Sequence, residues 1–228
     1  MARLILIDTA TAAGSVSFAE EGRVVASFGH TQAEDHAAYI ADYVYRGLSQ
    51  LQLNGTAIDA IAVSAGPGSY TGLRVGLSTA KGLCYAWNCR LILLPTMEIM
   101  AAGYRQLHPE IHEPGFLVPV LKSRKNEVYA AVYKTDGTTI EHARPVQLEE
   151  EDFSTWQNYQ PMYVFGEGAD RVIDRLQPLS VKVVLDGTYQ LHASHMAGLA
   201  EQAFRSGQFA DLAYAEPYYL KPTYVGKE

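Results

Sequence analysis

The chain has 228 residues, 48% of them hydrophobic and 19% charged, with a net charge of −7 and a pI of 5.5. That balance is the one of a soluble globular protein with one large domain or two small ones. It argues against a chain that grips nucleic acid directly, because phosphate binding needs clustered Lys and Arg. No apolar run approaches the ~20 residues of a membrane span, the chain opens on a strand pattern instead of a charged-then-apolar leader, and Cys84 and Cys89 lack Cys-x-x-Cys spacing, so a cytoplasmic protein with buried thiols is expected.

In chain order, Leu4 to Asp8 reads as a strand, Thr9 to Gly14 as a turn of small and hydroxyl residues, and Ser15 to Ala19 as a second strand. After the turn Glu20-Glu21-Gly22, Arg23 to Phe28 is a third. Asp8 has two readings, a remnant of a nucleotide site or, the favoured one, an acid that satisfies backbone donors of the turn. His36 to Leu51 is the first long helix, with Ile40, Val44, Leu48 and Leu51 as its buried face and Ala37 and Gly47 beside them. Next to that face Tyr39, Tyr43, Arg46 and Gln50 form a stripe that is apolar in body and polar at the tips. Such a stripe suits a protein interface or, as the blander reading, a boundary half covered by a neighbouring helix; interface use is put slightly ahead.

Ala60 to Ala65 is a short run of small and β-branched residues that suits a buried strand, and Gly66-Pro67-Gly68-Ser69-Tyr70-Thr71-Gly72 breaks it. Thr71 stands where a helix N-cap would accept an N–H, and Gly72, Gly76, Ala80 and Cys84 recur every four residues along the helix that runs to Trp87. Another backbone can come close along that column, either the chain's own sheet or a partner. A glycine loop before a helix also suggests a phosphate cradle. The loop lacks the lysine of a Walker motif, and Thr71 stands at the third position of the dinucleotide fingerprint, so Gly66, Gly68 and Thr71 remain vestigial candidates and a tight turn is the plainer reading.

Leu91 to Leu94 is a further strand and Thr96 caps a helix towards Leu107. The segment His108 to Gly115, with two prolines and two histidines, reads as the link between an N-terminal half, 1–107, and a C-terminal half, 108–228. The second half carries strands Phe116 to Leu121, Glu127 to Tyr133, Thr138 to His142, Met162 to Phe165 and Val181 to Leu185. Its helices are a short acidic one around Leu148 to Thr155, Ala169 to Leu176 and Ser194 to Ser206. Alternating strands and helices in both halves point to a duplicated α/β architecture. His192 and His195 read as a surface pair at a helix start, and no metal, nucleophile or zinc motif is present. The tail Tyr214 to Tyr224, rich in tyrosine and proline, is expected to pack along the surface.

The string Gly66 to Gly76, with Leu6-Ile7-Asp8-Thr9-Ala10-Thr11, Glu127-Val128-Tyr129 and Ala215-Glu216-Pro217-Tyr218-Tyr219-Leu220, resembles the TsaB (YeaZ) family of bacterial tRNA-modification proteins over almost the whole chain. The resemblance implies the two-lobed actin-like fold of sugar kinases and Hsp70 with a shortened second lobe. It also implies a non-catalytic protein, with no metal or bound cofactor of its own, that pairs with TsaD and the small ATPase TsaE. TsaD transfers threonylcarbamoyl from its adenylate to N6 of adenosine 37 in tRNAs reading codons that start with A. ATP, threonylcarbamoyl-AMP and tRNA are then expected on the partner subunits, and a homodimer when TsaD is absent. The expected interface comprises His36, Tyr39, Tyr43 and Arg46 on the first helix and Gly72, Arg74, Gly76, Ala80 and Leu83 on the second. Two departures stand out: Ile40, four places after His36, removes the His-x-x-x-His pair of TsaD, and Lys122 replaces the Asp that relatives carry two places before Arg124. Other classes left open are a metallopeptidase-like or ATPase homologue with activity of its own, and a scaffold unrelated to tRNA.

Overall fold

The computed structural model describes residues 2–31, 36–111, 114–179 and 181–220, and of 36 and 37 only the helical backbone. The chain forms two compact units, Met1–Gly103 with Leu191–Pro217, and Tyr104–Gln190 with Tyr218–Glu228.

The first unit is built on a five-stranded sheet of β1 (Arg3–Asp8), β2 (Gly14–Glu20), β3 (Arg23–His30), β4 (Ala60–Ser64) and β5 (Arg90–Leu94), in the order β3-β2-β1-β4-β5. The first three strands form an antiparallel meander joined by short turns; β4 and β5 add to β1 in parallel. Parallel strands are covered on both faces, which is why β1 and β4 read as near-continuous apolar runs and every residue of β4 is buried. On one face Ile5, Ile7, Ile61 and Val63 pack with Ile40, Tyr43 and Val44 of α1 (His36–Gln50) and with Leu77, Ala80 and Cys84 of α2 (Tyr70–Trp87). The helix α3 (Thr96–Leu107) follows β5, and the helical turn Ala193–Met196 and helix Ala197–Arg205 contact β1 and two other strands each.

The second unit repeats the plan. Strands β6 (Phe116–Lys122), β7 (Glu127–Lys134), β8 (Thr139–Gln147), β9 (Met162–Phe165) and β10 (Val183–Asp186) lie in the order β10-β9-β6-β7-β8, an antiparallel meander again followed by two parallel additions. Helix α4 (Ala169–Leu176) buries Ala169, Val172 and Leu176 against β6 and β9, and the last helix, Ala197–Arg205, is α5. No repeat is visible in the residues, yet the two topologies coincide strand for strand.

The expected division at 107/108 differs from this one at the C-terminal end. Leu191–Pro217 returns to the first unit because α5 contributes Ala197, Ala200 and Ala203 to its core, Ala210 bridges to Leu91 at the edge of β5, and Lys81 Nζ donates to the carbonyls of Ala213 and Ala215 at 3.2 Å. His195 is buried, not a surface residue, since its ring lies where a side chain at Gly103 of α3 would be, 2.4 Å from an added Cβ. The acidic segment is a short 3-10 helix, Phe153–Asn158, capped by Asp152, and β8 runs to Gln147 because its register with β7 continues through Glu127. Among the described residues no helix is long and apolar enough to cross a membrane.

Candidate functional site

The signature loop is anchored to the turn after β1. Ser69 N donates to the Ala10 carbonyl at 2.7 Å, and Thr9 Oγ1 donates to the Gly72 carbonyl at 2.7 Å. A Cβ added at Gly72 would stand 2.1 Å from the Thr9 carbonyl oxygen, and one at Gly76 would stand 2.2 Å from Thr9 Oγ1. These glycines are therefore required by close approach of α2 to its own first turn. With Ala80 and Cys84 they form the column expected from the spacing, but it is buried inside the unit and none of it is offered to a partner. Gly72, Gly76 and Ala80 are accordingly removed from the interface; a bulky residue at Gly76 or Ala80 attacks the fold first.

The helix begins at Tyr70, and its N-cap is Ser69, whose Oγ accepts from Gly72 N at 3.2 Å; Thr71, read as the cap, is an exposed first-turn residue. Three amides that a phosphate would seek, those of Ser69, Gly72 and Leu73, are bonded to Ala10 O, Ser69 Oγ and Ser69 O. Gly66 is held from the other side by Thr96, which takes its N–H on Oγ1 at 3.1 Å and returns its own N–H to the Gly66 carbonyl at 2.9 Å.

Beneath the loop Asp8 is fully buried. Oδ1 accepts from Ala10 N at 3.2 Å and the carboxylate takes a bond from Ser64, whereas Oδ2 has no partner among the described residues. Burial pushes its carboxyl up to about 6, against the opposing pull of those donors. Asp8 thus does what the plainer reading held, binding the turn. Among the described residues no three His, Cys, Asp or Glu side chains are grouped so as to hold a metal ion.

The first-helix candidates divide. Tyr43 is 6% exposed and belongs to the core, correcting its place in the interface stripe. The cause is β3, whose Phe28 and His30 meet it, the ring of Phe28 at 6.1 Å and His30 Nδ1 3.3 Å from the tyrosine hydroxyl. Tyr39 is half-buried in the same aromatic cluster, its ring 4.9 Å from His30. Arg46 stays at the surface with its guanidinium 5.1 Å over Phe28 and 3.4 Å from Asp42. The His36 side chain lies outside the described residues. On α2, Arg74 is exposed with its guanidinium 4.5 Å over the Tyr70 ring, and Leu83 is half-buried against the core.

The outer surface of this helix pair carries residues that the stripe argument passed over. Tyr45 is 70% exposed on α1 and Tyr85 83% exposed on α2, with Ala41, Asp42 and Ser49 beside the first and Thr71, Ser78 and Gly82 along the same side as the second. The two helices pack against each other, and each carries one of these tyrosines on its exposed side. Among the described residues, a Cβ added at Gly82 meets nothing within 4 Å. The signal was present in the periodicity: Tyr45 stands five residues after the buried Ile40, on the far side of the helix.

In the second unit, the buried Glu127 of the Glu-Val-Tyr motif accepts from Ser123 Oγ at 2.7 Å and from Gln147 Nε2, closing the turn 122–127. Arg171 Nη1 donates to the Arg124 and Glu127 carbonyls at 2.7 and 3.2 Å, and Lys122 forms an ion pair with Asp170 at 3.5 Å.

A family profile described as "TsaD: tRNA N6-adenosine threonylcarbamoyltransferase" matches residues 23–158. The tRNA threonylcarbamoyladenosine biosynthesis protein TsaB of Escherichia coli is 30% identical over 99% of this chain and 97% of its own length. YeaZ from Pseudomonas aeruginosa superposes with a TM-score of 0.79 at 24% identity, covering 96% of this chain and all of that one. A Clostridium difficile activator of 2-hydroxyisocaproyl-CoA dehydratase, solved with bound ADPNP, reaches a TM-score of 0.51 at 10% identity over 90% of this chain and 96% of its own, a likeness of fold alone. The fold is the actin-like, sugar-kinase type, and the chain belongs to the TsaB (YeaZ) family of tRNA threonylcarbamoyladenosine biosynthesis proteins.

Proposed function

We propose that this chain is the non-catalytic activating subunit with which TsaD, assisted by TsaE, transfers threonylcarbamoyl to N6 of adenosine 37 in tRNA. The observation that carries the reading is the contrast between the loop and the helix surface above it. The amides of Ser69, Gly72 and Leu73 and the carboxylate of Asp8 serve the chain's own turn, whereas Tyr45, Tyr85 and the open flank of Gly82 lie at the surface. Tyrosines suit interfaces because they bury area and keep a hydrogen-bonding end. The outer face of α1 and α2 is the surface we assign to TsaD, and to a second copy of this chain when TsaD is absent. The acidic net charge of −7 supports indirect contact with tRNA, through the partner. ATP and threonylcarbamoyl-AMP are placed on TsaD and TsaE.

The test is reconstitution with TsaD, TsaE, ATP, threonylcarbamoyl donor and tRNA, omitting each protein in turn and scoring modified adenosine. Loss of modification without this chain, together with none when it replaces TsaD, is the expected result. Modification by this chain alone, or full activity of TsaD without it, overturns the reading.

A further inference from the structure

The two cysteines of the chain lie together at the C-terminal end of α2. Cys84 is in the last turn and 1% exposed; Cys89 follows the helix, half-buried between the exposed Asn88 and Arg90. The backbone brings them together. Asn88 ends the helix in the left-handed region, at φ 54°, and the amides of Asn88 and Cys89 both donate to the Cys84 carbonyl, that of Cys89 at 3.2 Å. In such a Schellman-type ending the second residue past the helix folds back over the residue that accepts its N–H, and a side-chain contact between those two accompanies it. Here both are cysteines. Their thiols meet in a hydrogen bond, and Cys89 packs against the core cluster that contains Cys84.

The pair is asymmetric. The single thiol hydrogen of Cys84 has two acceptors, Cys89 Sγ and the Arg90 carbonyl at 3.3 Å, so Cys84 is the donor. Its donation favours the thiolate at Cys89 and lowers that thiol below the ordinary range, against burial and the Asp59 carboxylate. The same bond, with burial, raises Cys84 and keeps it protonated. Nucleophilic attack therefore falls to the half-exposed sulfur, with a protonated thiol behind it. Among the described residues no three metal-ligating side chains are grouped here, so a tetrahedral metal site is not what the arrangement offers.

We infer that Cys84 and Cys89 form a peroxide-reactive dithiol that closes to an intramolecular disulfide, with Cys89 as the attacking sulfur and Cys84 as the resolving one. The Cys89 thiolate attacks one peroxide oxygen, the O–O bond breaks and hydroxide leaves, so that Cys89 becomes a sulfenic acid. The Cys84 sulfur then displaces the hydroxyl from Cys89 Sγ. The S–O bond breaks as the S–S bond forms, and the Cys84 hydrogen departs with the hydroxide as water. Two thiols lose two electrons and two protons, and one peroxide takes them up as two waters. The sulfurs have only to turn from hydrogen-bond contact to the ~2.05 Å of an S–S bond, and Cys84 gives up the Arg90 carbonyl as it does so.

The test treats the reduced, folded natural chain with hydrogen peroxide, quenches with catalase, unfolds it, alkylates with iodoacetamide and digests with trypsin. The peptide 82–90, which holds both cysteines, is expected to carry no alkyl group and to lack two hydrogens, and dithiothreitol should restore both thiols. Before peroxide, the folded chain should alkylate at Cys89 at least about 10-fold faster than at Cys84. Cys84→Ser keeps a donor to the Arg90 carbonyl and removes the resolving sulfur. Peroxide should leave its Cys89 as a sulfenic acid that dimedone traps, an adduct the natural chain does not accumulate. Two alkylatable thiols after peroxide, a dimer linked through Cys89, or a sulfinic acid on Cys89 beside a free Cys84 overturns the proposal. So does faster alkylation of Cys84 than of Cys89, which reverses the assigned roles.

Discussion

Thr9 donates its hydroxyl hydrogen to the Gly72 carbonyl at 2.7 Å and fills the space that a side chain at Gly76 would need. The first turn and the start of α2 are therefore one packed object, with Thr9 as its peg. Thr9→Val removes the donor and leaves the Gly72 carbonyl with its helical bond alone. Stability should fall by about 1 kcal/mol in denaturant titration. Gly76→Leu forces the helix off the turn and should cost more, roughly 4 kcal/mol or beyond, so that both binding and folding fail together. A soluble Gly76→Leu chain with normal stability would refute this packing account.

The outer flank of α2 behaves in the opposite way. Glycine in a helix interior costs about 1 kcal/mol relative to alanine, and no atom of the described residues lies within 4 Å of a Cβ added at Gly82. Gly82→Ala should raise thermal stability slightly. Gly82→Arg should leave it unchanged or higher while abolishing co-purification with TsaD, because the new side chain projects beside Tyr85. Retained pairing by Gly82→Arg, or a loss of pairing that follows a loss of stability, would remove this face from the interface.

These two glycines mark what the residues alone could and could not disclose. The four-residue spacing of Gly72, Gly76, Ala80 and Cys84 is enough to place small side chains on one side of a helix, but not to say which backbone comes close. That depended on Thr9, a turn residue 63 positions away from Gly72 whose hydroxyl carried no signal until the turn was folded onto the helix. The buried strands were legible from their apolar runs, whereas the largely half-exposed β8 carries no such run and reaches Gln147, beyond the expected His142. Tyr43 was misplaced because its cover, Phe28 and His30, comes from an edge strand; a helix period counts positions around one axis and is blind to how high a neighbour stands. Leu191–Pro217 was assigned to the wrong half for a related reason: chain order says nothing about a segment that returns.

Asp8 and His195 give stability opposite dependences on pH. The folded Asp8 carboxyl, raised to about 6, binds more protons than an unfolded one between about 4 and 6, so its contribution is present at low pH and is lost as pH rises through 6. Asp8→Asn cannot ionise. Its stability relative to the natural chain should improve by an amount on the order of 2 kcal/mol between pH 4 and pH 8. Equal pH profiles for the two would refute a buried Asp8 charge.

His195 runs the other way. Burial, reinforced by His192, lowers it from the ordinary 6.5 to about 4, so the unfolded chain binds more protons in that interval. Its contribution is full above pH 6.5 and is lost as pH falls towards 4. Between about 4 and 6 the two effects offset each other, so the natural chain should look less acid-sensitive than Asp8→Asn. Titration of the His195 ring by NMR checks the direction: a midpoint at or above 6.5 would exclude it.

Lys122 heads the turn 122–127, yet that turn is held by other groups. Its ion pair with Asp170 is between side chains 42% and 66% exposed, a class worth at most about 1 kcal/mol. Arg171, in contrast, satisfies two carbonyls of the turn with one guanidinium nitrogen, and the buried Glu127 takes the bonds of Ser123 and Gln147. Lys122→Asp should therefore change stability by less than about 1 kcal/mol, with the loss recovered by Asp170→Lys, which restores the pair with its charges exchanged. Arg171→Ala should cost about 1–3 kcal/mol, since it leaves carbonyls without their charged donor. Equilibrium unfolding of the three variants decides the matter, because a larger loss from Lys122→Asp than from Arg171→Ala would make the surface pair, and not the guanidinium, the group that holds the turn.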